Sequence, residues 1–109
     1  MSNNKARVLL VACVRKEEEI RWVRKIFREH KNIWIVLDRK TVEILHREKL
    51  LHEIDKDRII VFKGTRAEEL TLKIYKISQP DIVFICDKHG LLKALIYLLK
   101  NTPVKIIEC

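Results

Sequence analysis

The fold is decided by residues 81–100, which read DIVFICDKHGLLKALIYLLK. The run from Ile82 to Cys86 is apolar throughout, which is typical of a parallel strand that is covered on both faces. A polar turn begins at Asp87, and residues 88–100 then form an apolar segment long enough for a helix. A buried strand that leads into a helix predicts one strand–helix unit of an α/β domain.

The same alternation of strand and helix continues along the rest of the chain. Strands are predicted at residues 7–14, 32–38, 58–62, 81–86 and 104–109, and helices at 15–31, 39–54, 65–79 and 88–100. This order predicts a single α/β domain over residues 1–109, built as a three-layer α/β/α sandwich around a five-stranded parallel sheet. We expect a Rossmann-like or flavodoxin-like arrangement and favour the strand order 2-1-3-4-5, with 3-2-1-4-5 as the alternative.

The composition describes a strongly charged globular domain. Of the 109 residues, 48% are hydrophobic and 35% are charged, which excludes a disordered chain. The formal net charge is +8, and a field of this sign favours anionic partners such as nucleotides or nucleic acid, although it also serves solubility. Only two Gly and two Pro are present, and together with the many charges this usage is typical of thermophile proteins.

The beginning of the chain and its cysteines predict a cytoplasmic protein without a membrane partner. The apolar run from Val8 to Val14 is too short to cross a membrane and lacks a signal-peptide cleavage site. The three cysteines are an odd number, so we expect no disulfide framework. Cys13 and Cys86 are expected to be buried packing residues, because free cysteine is among the most buried residue types.

Two carboxylates are the candidate catalytic residues. Asp38 and Asp87 each follow a predicted strand, at the edge of the sheet where α/β proteins bind their ligands. With Glu108 they could hold a divalent cation in a small metal-dependent hydrolase or nuclease. The alternative is that both aspartates cap the helices that follow them. No cofactor is predicted, because the glycine-rich turns that bind dinucleotides or nucleoside triphosphates are absent, and no metal site is assigned.

An anion or nucleotide site is predicted at the same edge of the sheet. Gly64 permits a tight turn, and Thr65 would cap the next helix and leave backbone N–H groups facing an anion. The predicted residues of this site are Lys63, Gly64, Thr65, Arg66, Lys88 and His89.

A basic stripe along the first helix is the candidate nucleic-acid surface. Arg21, Arg24, Lys25 and Arg28 recur at helical spacing, and Trp22 stands beside them, where a base could stack on its ring. The alternative is a solvated helix face with Trp22 packed against a neighbour.

The last helix is apolar almost all round, which predicts a homodimer interface formed by Leu92, Leu95, Ile96 and Leu99.

The sequence therefore leaves three hypotheses for function. The favoured one is a binding module for an anionic ligand, and the others are the hydrolase or nuclease and a homo-oligomeric assembly protein.

Overall fold

The chain folds around a five-stranded sheet in which every strand pair is parallel. The computed structural model describes residues 6–52, 54–62, 67–88, 90 and 93–109. The strands are β1 (Val8–Ala12), β2 (Ile33–Asp38), β3 (Ile59–Phe62), β4 (Ile82–Cys86) and β5 (Lys105–Glu108). The helices are α1 (Ile20–Glu29), α2 (Arg39–Arg47), α3 (Ala67–Ser78) and α4 (Lys93–Leu99). The predicted alternation of strands and helices is confirmed.

The strand order is β3-β2-β1-β4-β5, so the favoured order 2-1-3-4-5 is wrong and the alternative is right. Val8 of β1 pairs with Ile33 on one side and with Ile82 on the other, which makes β1 the central strand. The physical reason lies in β3, which has four residues and leaves Val61 exposed. Such a strand suits the edge of the sheet, whereas the favoured order would have buried it in the middle.

Helices cover both faces of the sheet, which confirms the α/β/α layers. Val8, Leu10 and Ala12 point toward a core that is completed by α1 and α2. The alternate residues of the same strand, Leu9 and Val11, point toward a second core that is completed by α3 and α4. All five residues of β1 are buried. The continuous apolar run therefore results from burial on both faces.

Three helices are shorter than their sequence patterns predict. The first was expected over residues 15–31, but α1 begins at Ile20, after a 3-10 turn, and ends at Glu29. The second helix was expected to reach residue 54, but α2 ends at Arg47 because Lys49 takes a left-handed conformation with φ 57°. The N–H of Leu50 then donates to the carbonyl of Leu45 at 3.0 Å, which is the hydrogen bond of a Schellman helix end. In the last segment the described helix begins only at Lys93.

Gly90 accounts for the turn between β4 and α4. Its φ of 72° lies in the left-handed region, and a Cβ atom built on it would lie 2.9 Å from Cε of Lys93. Only glycine fits this position without strain.

Among the described helices, none combines the length and the apolar character needed to cross a membrane.

A disulfide joins Cys86 at the end of β4 to Cys109 after β5, so the expectation of no disulfide is wrong. The two Cα atoms lie 4.6 Å apart, because β4 and β5 are neighbours and both cysteines stand at the same end of the sheet. One of the three cysteines remains outside the bond, which explains why their number is odd. Cys13 is a buried free thiol, and the predicted burial of Cys13 and Cys86 is confirmed.

The disulfide is expected to stabilise the fold by restricting the unfolded chain. It closes a loop with a sequence separation of 23 residues, and a loop of this size is worth about 3 kcal/mol in the unfolding free energy. Urea unfolding with and without reductant measures the difference. Cys13→Ala in the oxidised state is the control for a cysteine outside the bond. Three reactive thiols in the denatured, unreduced protein, instead of one, would contradict the bond.

Candidate functional site

The strand order places the usual ligand position of this architecture between β1 and β4. At that point the connections turn in opposite directions and leave a crevice at the carboxyl ends of the strands. Here the space is only about 10 Å³, which is room for one water molecule and not for a nucleotide. The crevice is lined by Cys13, Val14, Glu19, Trp22, Cys86, Asp87, Lys88 and Cys109. Side chains of the protein itself therefore fill the crevice.

Glu19 takes the place that a phosphate would occupy in a dinucleotide-binding turn. Its Oε1 atom accepts hydrogen bonds from the backbone N–H groups of Arg15 at 2.9 Å and Lys16 at 3.1 Å. Glu19 is buried, although it belongs to the 3-10 turn Glu17–Glu19 at the surface of the domain. The free N–H groups that follow β1 are thus already paired with a carboxylate of the chain. Of the three acids that follow β1 in sequence, Glu19 therefore builds the turn.

Asp38 has a structural role at the start of α2. Its Oδ1 accepts a hydrogen bond from the N–H of Thr41 at 3.2 Å and is also within hydrogen-bonding reach of the Thr41 hydroxyl. Its Oδ2 lies 2.6 Å from a guanidinium nitrogen of Arg15. The N–H of Val14 donates to the Thr41 hydroxyl at 2.7 Å and thereby ties the β1 turn to α2. Both oxygens of Asp38 are engaged, and the capping alternative is confirmed for it.

Sequence reasoning missed Thr41, which is completely buried at the centre of this network. The sequence signal was the spacing of Asp38 and Thr41, because an N-cap residue and the third residue of its helix are separated in this way. The partner in the β1 turn lies 27 residues away, so only the fold brings the three segments together.

Asp38 and Asp87 follow the two strands that flank β1, and both act on the Cys13 thiol. The pKa of Cys13 is raised to about 12, first by burial and then by the negative charges of the two aspartates, while Arg15 opposes the shift. The thiol is therefore uncharged at neutral pH and is a poor nucleophile.

Within the described part of the chain, no three His, Cys, Asp or Glu side chains form a group that could hold a metal ion.

A larger cavity of about 270 Å³ lies beside α4, where β4 and β5 end. It is lined by Ile85, Asp87, Lys88, Gly90, Lys93, Ile96, Glu108 and Cys109. Lys88 of the predicted anion site is thus found at a cavity, together with Lys93, which the sequence did not single out. Among the described residues that line the cavity, two carboxylates oppose these two ammonium groups, so their charges balance. The other predicted anion-binding residues, Lys63, Gly64, Thr65, Arg66 and His89, lie outside the described residues.

A groove of about 320 Å³ between α1 and α2 has a clear excess of positive charge. It is lined by Arg24, Phe27, Arg28, Lys31, Glu48, Lys49 and Leu50, and we call it the basic groove. Four of these side chains are cationic and one is acidic. Arg24 and Arg28 of the predicted stripe line this groove, whereas Arg21 and Lys25 are exposed on the outer face of α1. Lys49 was missed because it belongs to the end of α2 and not to α1, and only the fold brings it to the groove.

The predicted dimer residues are placed differently from the expectation. Leu99 is fully buried in the core of its own chain, and Ile96 packs against the same core, so this seam of α4 faces the sheet. Leu92 and the Leu95 side chain lie outside the described residues. The assignment of Leu99 to a partner surface is wrong, because the side of α4 that carries Leu99 contacts the sheet of its own chain. Among the side chains described in this region, those of Ile77, Tyr97 and Leu98 are exposed and apolar.

Comparison with known protein families, with curated proteins and with solved structures found no match to this chain. Its function is therefore argued from the charge and geometry of its own surfaces.

The role of Glu19 in the β1 turn can be tested by removing its carboxylate. Glu19→Ala leaves two backbone N–H groups without their acceptor, and we expect the unfolding free energy to fall by about 1–3 kcal/mol. Glu18→Ala is the matched control, because Glu18 is exposed in the same turn and its loss should change the value by at most about 0.5 kcal/mol. Urea unfolding measures both variants. Equal effects would contradict the role of Glu19.

Proposed function

We propose that this protein binds nucleic acid through the basic groove between α1 and α2, by contacts to the phosphate backbone. The observation that carries the proposal is the charge of the groove, where, among the described residues that line it, four cationic side chains face a single carboxylate. Phosphate contacts of this kind provide most of the sequence-independent affinity of nucleic-acid-binding proteins. The net charge of +8 acts in the same direction, because it attracts a polyanion from a distance.

The positive charge of the groove is available to a ligand. The one carboxylate, that of Glu48, lies 3.4 Å from a guanidinium nitrogen of Arg24, so these two charges largely offset each other. Arg28, Lys31 and Lys49 form no ion pair with another described residue and are exposed. Three cations therefore remain without a carboxylate partner in the described part of the chain, and a phosphate can contact them without breaking an existing pair.

The arrangement of the cations favours a polymer over a small anion. Arg21 and Lys25 continue the positive surface from the groove across the exposed side of α1. From Arg21 to Arg28 the helix rises by roughly 10 Å, whereas a duplex carries one phosphate for about every 1.7 Å of its length. A positive surface of this extent can contact several phosphates at once. The cavity beside α4, in contrast, balances two lysines against two carboxylates.

Reversing charge in the groove should weaken nucleic-acid binding. In Arg28→Glu/Lys31→Glu, two phosphate contacts are replaced by repulsion, and we expect at least a tenfold loss of affinity, with a salt dependence reduced by roughly two in logarithmic slope. Fluorescence anisotropy of a labelled oligonucleotide over a range of salt concentrations measures both quantities.

The matched control is Lys73→Glu/Lys76→Glu, which makes the same change of net charge at exposed positions of α3, on the opposite face of the sheet. Its affinity should fall much less. Equal losses in the two double variants would assign the effect to the overall field, and the groove proposal would then fail. It would also fail if the unmodified protein bound no oligonucleotide at low salt.

A second proposal is self-association through the outer layer formed by α3 and α4. Tyr97 is 71% exposed on α4, and Ile77 is 63% exposed on α3, the helix that packs against α4. Leu98 adds a third exposed apolar side chain. Apolar side chains clustered at the surface are typical of protein–protein contacts. The proposed homodimer thus uses the exposed side of this layer.

Self-association predicts a concentration-dependent mass that charged substitutions abolish. Ile77→Lys/Tyr97→Lys should be monomeric under conditions in which the unmodified protein dimerises, because a dimer would bury the new charges. Val61→Lys is the control, since Val61 is an exposed apolar residue on the edge strand β3. Sedimentation velocity over a concentration series distinguishes the variants. An unmodified protein that stays monomeric at the highest concentration would refute the dimer.

A further inference from the structure

We infer that the nucleic acid is single-stranded and that Trp22 is the surface on which one of its bases stacks. This inference rests on the proposed nucleic-acid binding and names its ligand class. It is carried by the position of Trp22 on α1, by its exposure and by its placement relative to the cations of the same helix.

Trp22 is held by the protein and yet remains open to a ligand. It is 45% exposed, and it also lines the narrow crevice beside Cys13 and Cys86. The ring therefore has one part against the domain and another part in solvent. Nζ of Lys25 lies over the ring at 5.8 Å from its centroid, so a positive charge accompanies the aromatic surface, and a stacking base would take its place on the ring while the ammonium group turns to the phosphate. An aromatic ring with an adjacent cation is the combination that proteins use to bind a base and its phosphate.

The buried core contacts of α1 come from residues other than Trp22. Ile20, Val23 and Ile26 are buried and provide the contacts of this helix with the sheet. Trp22 is absent from that core cluster, although it is the largest side chain of the helix. A large aromatic side chain that is fixed at the surface and is not used in the core has the character of a stacking residue.

The cations of α1 lead from Trp22 to the basic groove. Successive residues of a helix are rotated by about 100°, so Lys25 lies about 60° around the axis from Trp22, Arg21 about 100° and Arg28 about 120° in the same direction. All three are exposed. A strand that starts with a base on Trp22 can therefore cross the outer face of α1 and meet one cation after another until it enters the groove.

Only a single strand can follow this path. The bases of a duplex are stacked on each other and do not present a face to Trp22. A duplex is also stiff over about 50 nm and cannot bend across a helix that is about 10–12 Å wide. It can contact the outer cations or the groove, but not the cations and the tryptophan together. The geometry thus favours single-stranded over double-stranded ligands.

The test compares three ligands on one protein. They are an oligothymidylate of about 12 nucleotides, an abasic strand of the same length, and a duplex of the same length. We expect the oligothymidylate to bind best and Trp22→Ala to lower its affinity roughly 5- to 150-fold, as is typical for the loss of one stacked base. The same variant should bind the abasic strand and the duplex as tightly as the unmodified protein does. Unchanged binding of these two ligands also shows that the variant is folded.

Fluorescence gives a second readout that does not depend on affinity. The chain has two tryptophans, and Trp34→Phe leaves Trp22 as the only one while keeping an aromatic ring in the second core. In this variant we expect saturating oligothymidylate to quench the emission, and the abasic strand to leave it nearly unchanged.

The outcomes separate the two proposals. If Trp22→Ala binds oligothymidylate as well as the unmodified protein does, while Arg28→Glu/Lys31→Glu weakens all three ligands, stacking on Trp22 is refuted and nucleic-acid binding by the groove stands. If none of the three ligands binds the unmodified protein at low salt, the proposed function fails, and the inference fails with it.

Discussion

The structure depends on the burial of β1, which is paired along both edges and covered on both faces. Because no side of this strand meets water, the backbone groups beyond its end must find partners inside the chain. The N–H of Cys13 donates to Cys86 at 2.9 Å, that of Val14 donates to Thr41, and those of Arg15 and the next residue donate to Glu19. The turn after β1 is therefore closed by the protein itself, where related architectures leave donors for a ligand.

The sequence was sufficient for the element order and the parallel sheet, because apolar runs and helical spacing are local properties. It was insufficient for features that depend on which strands become neighbours. The strand order was mispredicted because of β3, the short and partly exposed strand that ends at Phe62. Its apolar residues resemble those of a central strand. The bond between Cys86 and Cys109 needs β5 beside β4, which no count of cysteines reveals. Leu99 was assigned to a partner surface because a helix that is apolar almost all round does not reveal in its sequence which side faces the sheet.

The same distinction applies to the candidate sites. Arg24 and Arg28 could be predicted from sequence, because they lie four residues apart on one helix and therefore on one face. Lys49 could not, because it lies far in sequence from α1 and depends on a left-handed backbone conformation. The spacing of Thr41 from Asp38 was visible in the sequence, but its hydrogen bond with Val14 was not. Asp38 was found, but its two readings are distinguished only by its contacts with Thr41 and Arg15. Interactions within one helix could thus be predicted from the sequence, whereas interactions between distant elements required the fold.

The closure of the β1 turn has a consequence for how the domain can bind a partner. With the crevice between β1 and β4 filled, the excess positive charge lies on the outer surface of α1 and α2, where a long ligand has access and a small one is poorly enclosed. Three exposed apolar side chains, those of Ile77, Tyr97 and Leu98, lie on the opposite layer, on α3 and α4. Two copies joined through that layer would keep both basic grooves exposed and facing away from each other. A strand long enough to reach both grooves would then bind more tightly than a short one, because the second contact becomes intramolecular.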